Sequence, residues 1–236
     1  MISSIPKWMS GLLESALNYN ATILQITNVS PQIKKIRFQG NLSKMNIQIG
    51  YANVIRVSKT EFRNYTIAHH DTKNDILDII FHTHGNGVRS QYIDSLAIND
   101  QLYISPARGK KMYNPNVKKQ FIFGDETSLG LACSMLSSLK QNKHQFQYYF
   151  QLDRENINAP HLLGLEHYAT FPKNGSFANE NWMRNLPIFE TPDWLHANFI
   201  LTGNVKSIQT FRKVLKEKKV ENILSQGYWL EGKKGL

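Results

Sequence analysis

A single cysteine, Cys133, stands in a chain of 236 residues. It excludes an internal disulfide and any cysteine-rich zinc site, and with them the small secreted scaffolds that depend on such crosslinks. No apolar run approaches the roughly 18 residues that a membrane-spanning helix needs. The opening stretch MISSIPKWMSGLLESALNY has no apolar core followed by a small-residue cleavage site, so no secretory signal is expected. There is no internal repeat and no low-complexity tract. Charged residues are only 19% of the chain against 41% hydrophobic, which is a core-forming composition and not a disordered one. The expectation is a soluble protein of a reducing compartment, the cytoplasm, folded as one large domain or two small ones.

Acidic residues are also scarce. Asp+Glu 18 against Lys+Arg 28 leaves a formal charge of +10. That balance favours anionic partners: nucleic acid, an acidic protein, a phosphate-bearing cofactor or a negatively charged ligand. An inert basic surface gives the same number. The densest basic run is 213–219 (KVLKEKK), with Lys233 and Lys234 in the tail. No aromatic residue interleaves that run, which argues against single-stranded nucleic acid.

The first half reads as strands. Residues 22–29 (TILQITNV), 33–38 (IKKIRF) and 75–81 (DILDIIF) are short and rich in β-branched or aromatic types. Residues 46–57 partly alternate apolar and polar positions. A helix over 7–18 is the one helical pattern before residue 88. These features predict an antiparallel barrel or sandwich.

The second half differs. A strand at 120–123 (QFIF) ends at Gly124, and a helix begins from Thr127 with Leu129, Ala132, Leu136 and Leu139 on one face. Residues 145–152 (QFQYYFQL) read as a strand. Another, 198–201 (NFIL), runs to Gly203; Asn204 then caps a helix whose apolar face is Ile208, Phe211 and Leu215. Two strand–glycine–helix units predict a parallel α/β sheet. The character changes near 112–119 (MYNPNVKK), which places the domains at 1–115 and 116–236. Ligands favour domain interfaces and the carboxyl ends of parallel strands, so a cleft between the halves is the default site.

Four short motifs carry chemistry. Arg63-Asn64-Tyr65-Thr66 on a strand puts Arg63 and Tyr65 on one face and Thr66 on the other. A guanidinium grips phosphate through two parallel hydrogen bonds, and a tyrosine beside it stacks on a flat ring. A plain strand with a surface arginine reads the same way. In His84-Gly85-Asn86-Gly87-Val88-Arg89-Ser90, glycines admit a close phosphate and free amides at a helix start attract anions; a glycine turn is the plain alternative. Gly124-Asp125-Glu126-Thr127 closes the first parallel strand, where doubly wound sheets bind nucleotides, although acids stand where phosphate prefers amides. They could instead cap the helix. Near the end, Gly227-Tyr228-Trp229-Leu230-Glu231-Gly232 offers Trp229 as a cover for an aromatic cofactor or as a core anchor. His82 and His84 alternate on one strand face but lack a third ligand, so no metal site is expected. Cys133 reads as a small core residue.

The order RxYT, HGxGxxS, GDET after a strand and GYWxxG near the end resembles the siderophore-interacting proteins, FAD-containing ferric-siderophore reductases of the ferredoxin–NADP reductase superfamily. The resemblance spans roughly residues 22–232. It implies an antiparallel β-barrel FAD domain followed by a parallel-sheet α/β nucleotide-binding domain. It implies that Arg63 holds the flavin pyrophosphate, Tyr65 stacks on the isoalloxazine and Thr66 bonds its polar edge. His84 would line the FAD site, while Gly87, Val88, Arg89 and Ser90 would cradle the phosphates. Gly124, Asp125, Glu126 and Thr127 would border a nicotinamide site, with Trp229 near the same cleft. The departures are Ala68 where the family usually has an arginine, Gly130 where it has a proline, and Asn204 where it has a glutamate.

The function so implied is transfer of electrons from NAD(P)H or reduced ferredoxin, through FAD, to a ferric siderophore, with release of Fe(II). The cofactor carries the chemistry, so no side chain is expected to act as acid or base. An anionic siderophore suits the basic surface. The competing expectations are a flavin or ferredoxin reductase with another acceptor, and a flavin- or siderophore-binding protein without turnover. A nucleic-acid module has only the charge in its favour.

Overall fold

In the computed structural model, residues 19–58, 60–83, 85 and 88–233 are described, apart from the side chains of Val88 and Arg89. The helix expected over 7–18, Lys59, His84, Gly87 and Lys234 lie outside them. Lys111 and Met112 mark the boundary between two compact units.

The first unit is built from antiparallel strands. β1 (Ala21–Ser30) and β2 (Ile33–Gly40) form a hairpin in which Ser30 faces Ile33 across the turn. β3 (Tyr51–Arg56), β4 (Phe62–Tyr65), β5 (Ile67–Asp71) and β6 (Ile76–His82) follow, then helix α1 (Val88–Ser95) and the short β7 (Gln101–Leu102) and β8 (Arg108–Gly109). One sheet has the order β5-β6-β2-β1-β7, the other β4-β3-β8. An isolated bridge pairs Ile55 with Ile104. Isoleucines and phenylalanines fill the core because their branched or flat side chains suit a pleated, buried face. Ile23, Ile36, Phe38, Ile55, Ile79 and Phe81 are fully buried there, and α1 adds Ile93.

Two expected strands are shorter than read. Asn46 and Gly50 take positive φ angles of 50 and 88, so 46–57 yields only β3. Asp75, at φ 53, ends a turn, and β6 begins one residue later.

The second unit is the parallel α/β sheet expected. β9 (Lys119–Gly124), α2 (Leu129–Gln141), β10 (Gln145–Leu152), α3 (Ala159–Leu162), β11 (Tyr168–Pro172), α4 (Glu180–Arg184), β12 (Asn198–Asn204), α5 (Val205–Glu217) and β13 (Ile223–Trp229) run in that order. The sheet order is β11-β10-β9-β12-β13, with every pairing parallel. β9 and β12 are buried throughout their apolar runs, as central parallel strands are. On α2 the inward positions are Leu129, Ala132, Met135 and Leu139; Leu136, expected inside, is only half-buried. On α5, Ile208, Phe211 and Leu215 are buried as read, together with Val214. Asn204 caps α5, its side chain accepting from the Lys206 and Ser207 amides.

Candidate functional site

The two strand sets carry two groups of motif residues. In the first unit, β4 places Arg63 and Tyr65 on one face because they are two residues apart. Both are half-buried. Tyr65 lies against Phe81, ring centroids 4.6 Å apart and planes at 58°, and packs on the barrel core. Arg63 Nη1 donates to the Phe62 carbonyl at 2.8 Å and Nη2 donates to Glu61 Oε2 at 2.9 Å. Thr66 falls between β4 and β5, so the expected strand is interrupted there.

Ser90 is the third residue of α1 and is buried. The first turn of α1 has no acidic residue, and a helix start is the positive end of the backbone dipole. Only the helical backbone of Val88 and Arg89 is described. Ala68 is buried in β5 and offers no charge where the resemblance leads one to expect an arginine. His70 does not replace it. Burial, aided by neighbouring His69, pushes its imidazolium below the usual value. A guanidinium and an aromatic ring on one strand face, and an acid-free helix start, are the residue types that suit a flat group bearing a diphosphate.

In the second unit, the sheet order reverses direction at β9 and β12, the switch point where open α/β sheets bind ligands at the strands' carboxyl ends. Gly124-Asp125 and Gly203-Asn204 end those two strands. Asp125 is buried and takes four donors. Oδ1 accepts from the Thr127 amide at 2.9 Å and from the Thr127 hydroxyl, while Oδ2 accepts from the Asn204 amide at 2.8 Å and Trp229 Nε1 at 2.7 Å. Ser128 Oγ accepts the Asp125 amide and receives the Thr202 hydroxyl at 2.8 Å. The glycines are required by this packing. A Cβ on Gly203 would lie 2.4 Å from Asp125 Oδ2, at a φ of +100, and one on Gly124 would lie 2.2 Å from Ser128 Cβ.

Glu126 is buried beside this hub. Oε1 accepts from the Asp153 amide at 2.7 Å and Asn156 Nδ2 at 3.1 Å, and Oε2 pairs with the Lys173 ammonium, which also reaches Asp153 at 2.9 Å. Burial pushes the Glu126 carboxyl up, and the Lys173 charge and the Asp153 amide pull it partly back. Burial works to lower Lys173, yet the carboxylates around it hold it above its usual value. Asp125 caps the short turn 126–128 in a reciprocal capping box with Ser128, as the plain alternative has it, whereas the Glu126 carboxylate turns to Asp153, Asn156 and Lys173.

Residues 20–113 match the family of the oxidoreductase FAD-binding domain. The fold of the chain is that of the ferredoxin–NADP+ reductases. A ferredoxin–NADP+ reductase from Plasmodium falciparum superposes with a TM-score of 0.69 at 16% identity, over 89% of this chain and 96% of that one. A siderophore utilization protein from T. fusca superposes with a TM-score of 0.71 at 18% identity, over 92% and 94%. The siderophore interacting protein from Acinetobacter baumannii gives 0.72 at 18% identity, over 91% of each. No curated protein sequence matches the chain. The resemblance read from motif order therefore holds at the level of the reductase-like fold, and for 20–113 at the level of an FAD-binding oxidoreductase domain. No helix among the described residues is long and apolar enough to cross a membrane.

Sequence reasoning missed three participants. Glu61 was legible, since it precedes Arg63 by the same two-residue step that relates Arg63 to Tyr65. Lys173 follows β11, a strand not read from the sequence. Thr202 sits in the apolar run of β12, and nothing local marks it as a partner of Ser128.

Proposed function

We propose that the chain is an FAD-dependent reductase that delivers electrons to a ferric siderophore. The observation that supports this most is that the Arg63/Tyr65 strand face and the acid-free start of α1 both fall within the stretch, residues 20–113, that matches an oxidoreductase FAD-binding domain. In this reading Arg63 and the α1 amides bind the diphosphate, Tyr65 and Thr66 meet the ring system, and Ser90 adds a hydroxyl. His84, Gly87, Val88 and Arg89 complete the cradle as the resemblance implies. Bound FAD would supply the chemistry that accepts electrons in pairs or singly and hands them on one at a time to Fe(III).

The second unit would receive the donor at its switch point, with Gly124, Asp125, Glu126, Thr127 and Trp229 around it. Asp125 has both oxygens committed to protein donors, so its part is to hold Trp229 and the two strand ends in place. The donor is NAD(P)H or reduced ferredoxin. The acceptor is substrate, and the net charge of +10 raises the encounter rate of an anionic ferric complex. Reduction weakens the hold of many siderophores on iron, which frees Fe(II).

The test starts with the visible spectrum of the purified protein after gel filtration, with and without prior incubation with FAD. A retained oxidised-flavin band is expected. Anaerobic addition of NADH, NADPH or reduced ferredoxin should then bleach it, and adding a ferric siderophore with an Fe(II) chelator should restore it with chelate formation. No band after FAD incubation would defeat the reading. A band that no donor bleaches would point to a binding protein.

A further inference from the structure

Arg63 does not stand ready for an anion. Its guanidinium is turned back along its own strand, with Nη1 on the Phe62 carbonyl and Nη2 on the Glu61 carboxylate. Glu61 lies just before β4, two residues ahead of Arg63 and the RNYT motif, and its carboxylate meets the Arg63 guanidinium. Their side chains are 24% and 25% exposed, so the pair is reachable from solvent and not locked into the core. Arg63 binds a diphosphate best through two parallel N–H donors. Nη2 belongs to either fork that the guanidinium can offer, and here it is held by a carboxylate. A diphosphate arriving at Arg63 would also meet the negative charge of Glu61 within a few ångströms, where like charges repel.

We infer that Glu61 is an internal competitor for the diphosphate seat on Arg63 and thereby sets how tightly the chain holds its flavin dinucleotide. The inference rests on the flavin reading above. Binding exchanges one anion for another on the same guanidinium: the carboxylate leaves Nη2 and a phosphate oxygen takes its place. Two further features make the exchange matter. Ala68 supplies no second cation, and burial pushes the His70 imidazolium below its usual value. The competition therefore falls on Arg63 with no second cation of that motif to offset it. The cofactor is accordingly exchangeable rather than permanently held.

The measurement is titration of flavin-free full-length protein with FAD and, separately, with riboflavin, followed by flavin fluorescence and calorimetry. Wild type, Glu61→Gln, Arg63→Ala and the double variant are compared. Removing one exposed like charge and its ion pair should tighten FAD about five- to tenfold in Glu61→Gln. Riboflavin, which has no phosphate, should bind both proteins alike. Arg63→Ala should weaken FAD, and Glu61→Gln should then give no more than about a twofold gain on that background, because the shared partner is gone. Weaker FAD binding in Glu61→Gln would overturn the inference by making Glu61 a positioner of Arg63. Equal tightening of riboflavin, or full tightening without Arg63, would overturn it too. A wild type that binds neither flavin would instead defeat the flavin reading itself. Matched thermal melts of all four proteins separate folding from binding.

Discussion

Arg63 and Asp125 are both charged residues at the heart of a motif, yet they live in opposite surroundings. Arg63 sits on an edge strand of the first unit, a quarter exposed, with its guanidinium on the Glu61 carboxylate and the Phe62 carbonyl. Asp125 is 3% exposed, and its oxygens take two backbone amides, a hydroxyl and an indole. A buried carboxylate without such donors would carry a large desolvation cost, so Asp125 is held in one geometry. The first arrangement keeps its charge within reach of solvent; the second uses its charge up in joining β9, β12 and β13. A motif residue can therefore serve a ligand or serve the scaffold that presents one, and burial with saturated hydrogen bonds tells the two apart.

The sharpest break of this contrast is Asp125→Ala. It strands four donors at the sheet's switch point, and a loss of about 4 kcal/mol in unfolding free energy is expected. Chemical denaturation of the flavin-free protein measures it, and a loss under 1 kcal/mol would mean that water replaces the carboxylate. Lys173→Met comes next. It leaves the buried Glu126 without its cation and should cost about 2–3 kcal/mol at neutral pH.

That second loss should depend on pH. Without Lys173 the Glu126 carboxyl rises further above its unfolded value, so the folded state holds a proton more tightly than the unfolded one. The penalty is then full above the raised value and shrinks as pH falls through it towards the ordinary carboxylate range. Denaturation midpoints of variant and wild type should converge on acidification. Parallel curves would place the cost in lost packing of the lysine stem.

Arg63→Ala should behave in the reverse manner. Stability should shift by less than about 0.5 kcal/mol, because exposed ion pairs contribute little, while FAD affinity drops about thirtyfold, or about 2 kcal/mol. Fluorescence titration and melting on the same preparation check both halves. The smallest effect belongs to Trp229→Phe, which removes one donor from Asp125 and should cost about 1 kcal/mol. A larger loss would show that the indole ring, and not its N–H, holds the end of β13.

Much of this was legible beforehand. The strand–glycine–helix units at 120–139 and 198–215 were readable because buried parallel strands are continuous apolar runs and their helices repeat with a 3.6-residue period. The antiparallel first half was readable as short β-branched runs. The extent of 46–57 was not, since Asn46 and Gly50 break it with positive φ angles that a hydrophobic pattern does not register. Residues 153–197 contain short turns of helix and the strand β11, with no period long enough to read. Their contribution to Glu126 therefore stayed hidden.

By itself the sequence determined the two-part architecture, the motif order and the overall charge, because periodicity, turn residues and composition are local properties. It also determined that Arg63 and Tyr65 share a strand face, since alternation requires it. Only the tertiary structure decided which partner each charge would take. Asn204 and Trp229 reach Asp125 from 79 and 104 residues away, and Lys173 reaches Glu126 from just beyond the end of β11. Those distances along the chain close only when the parallel strands align their carboxyl ends, which burial of their apolar faces drives and no local pattern encodes.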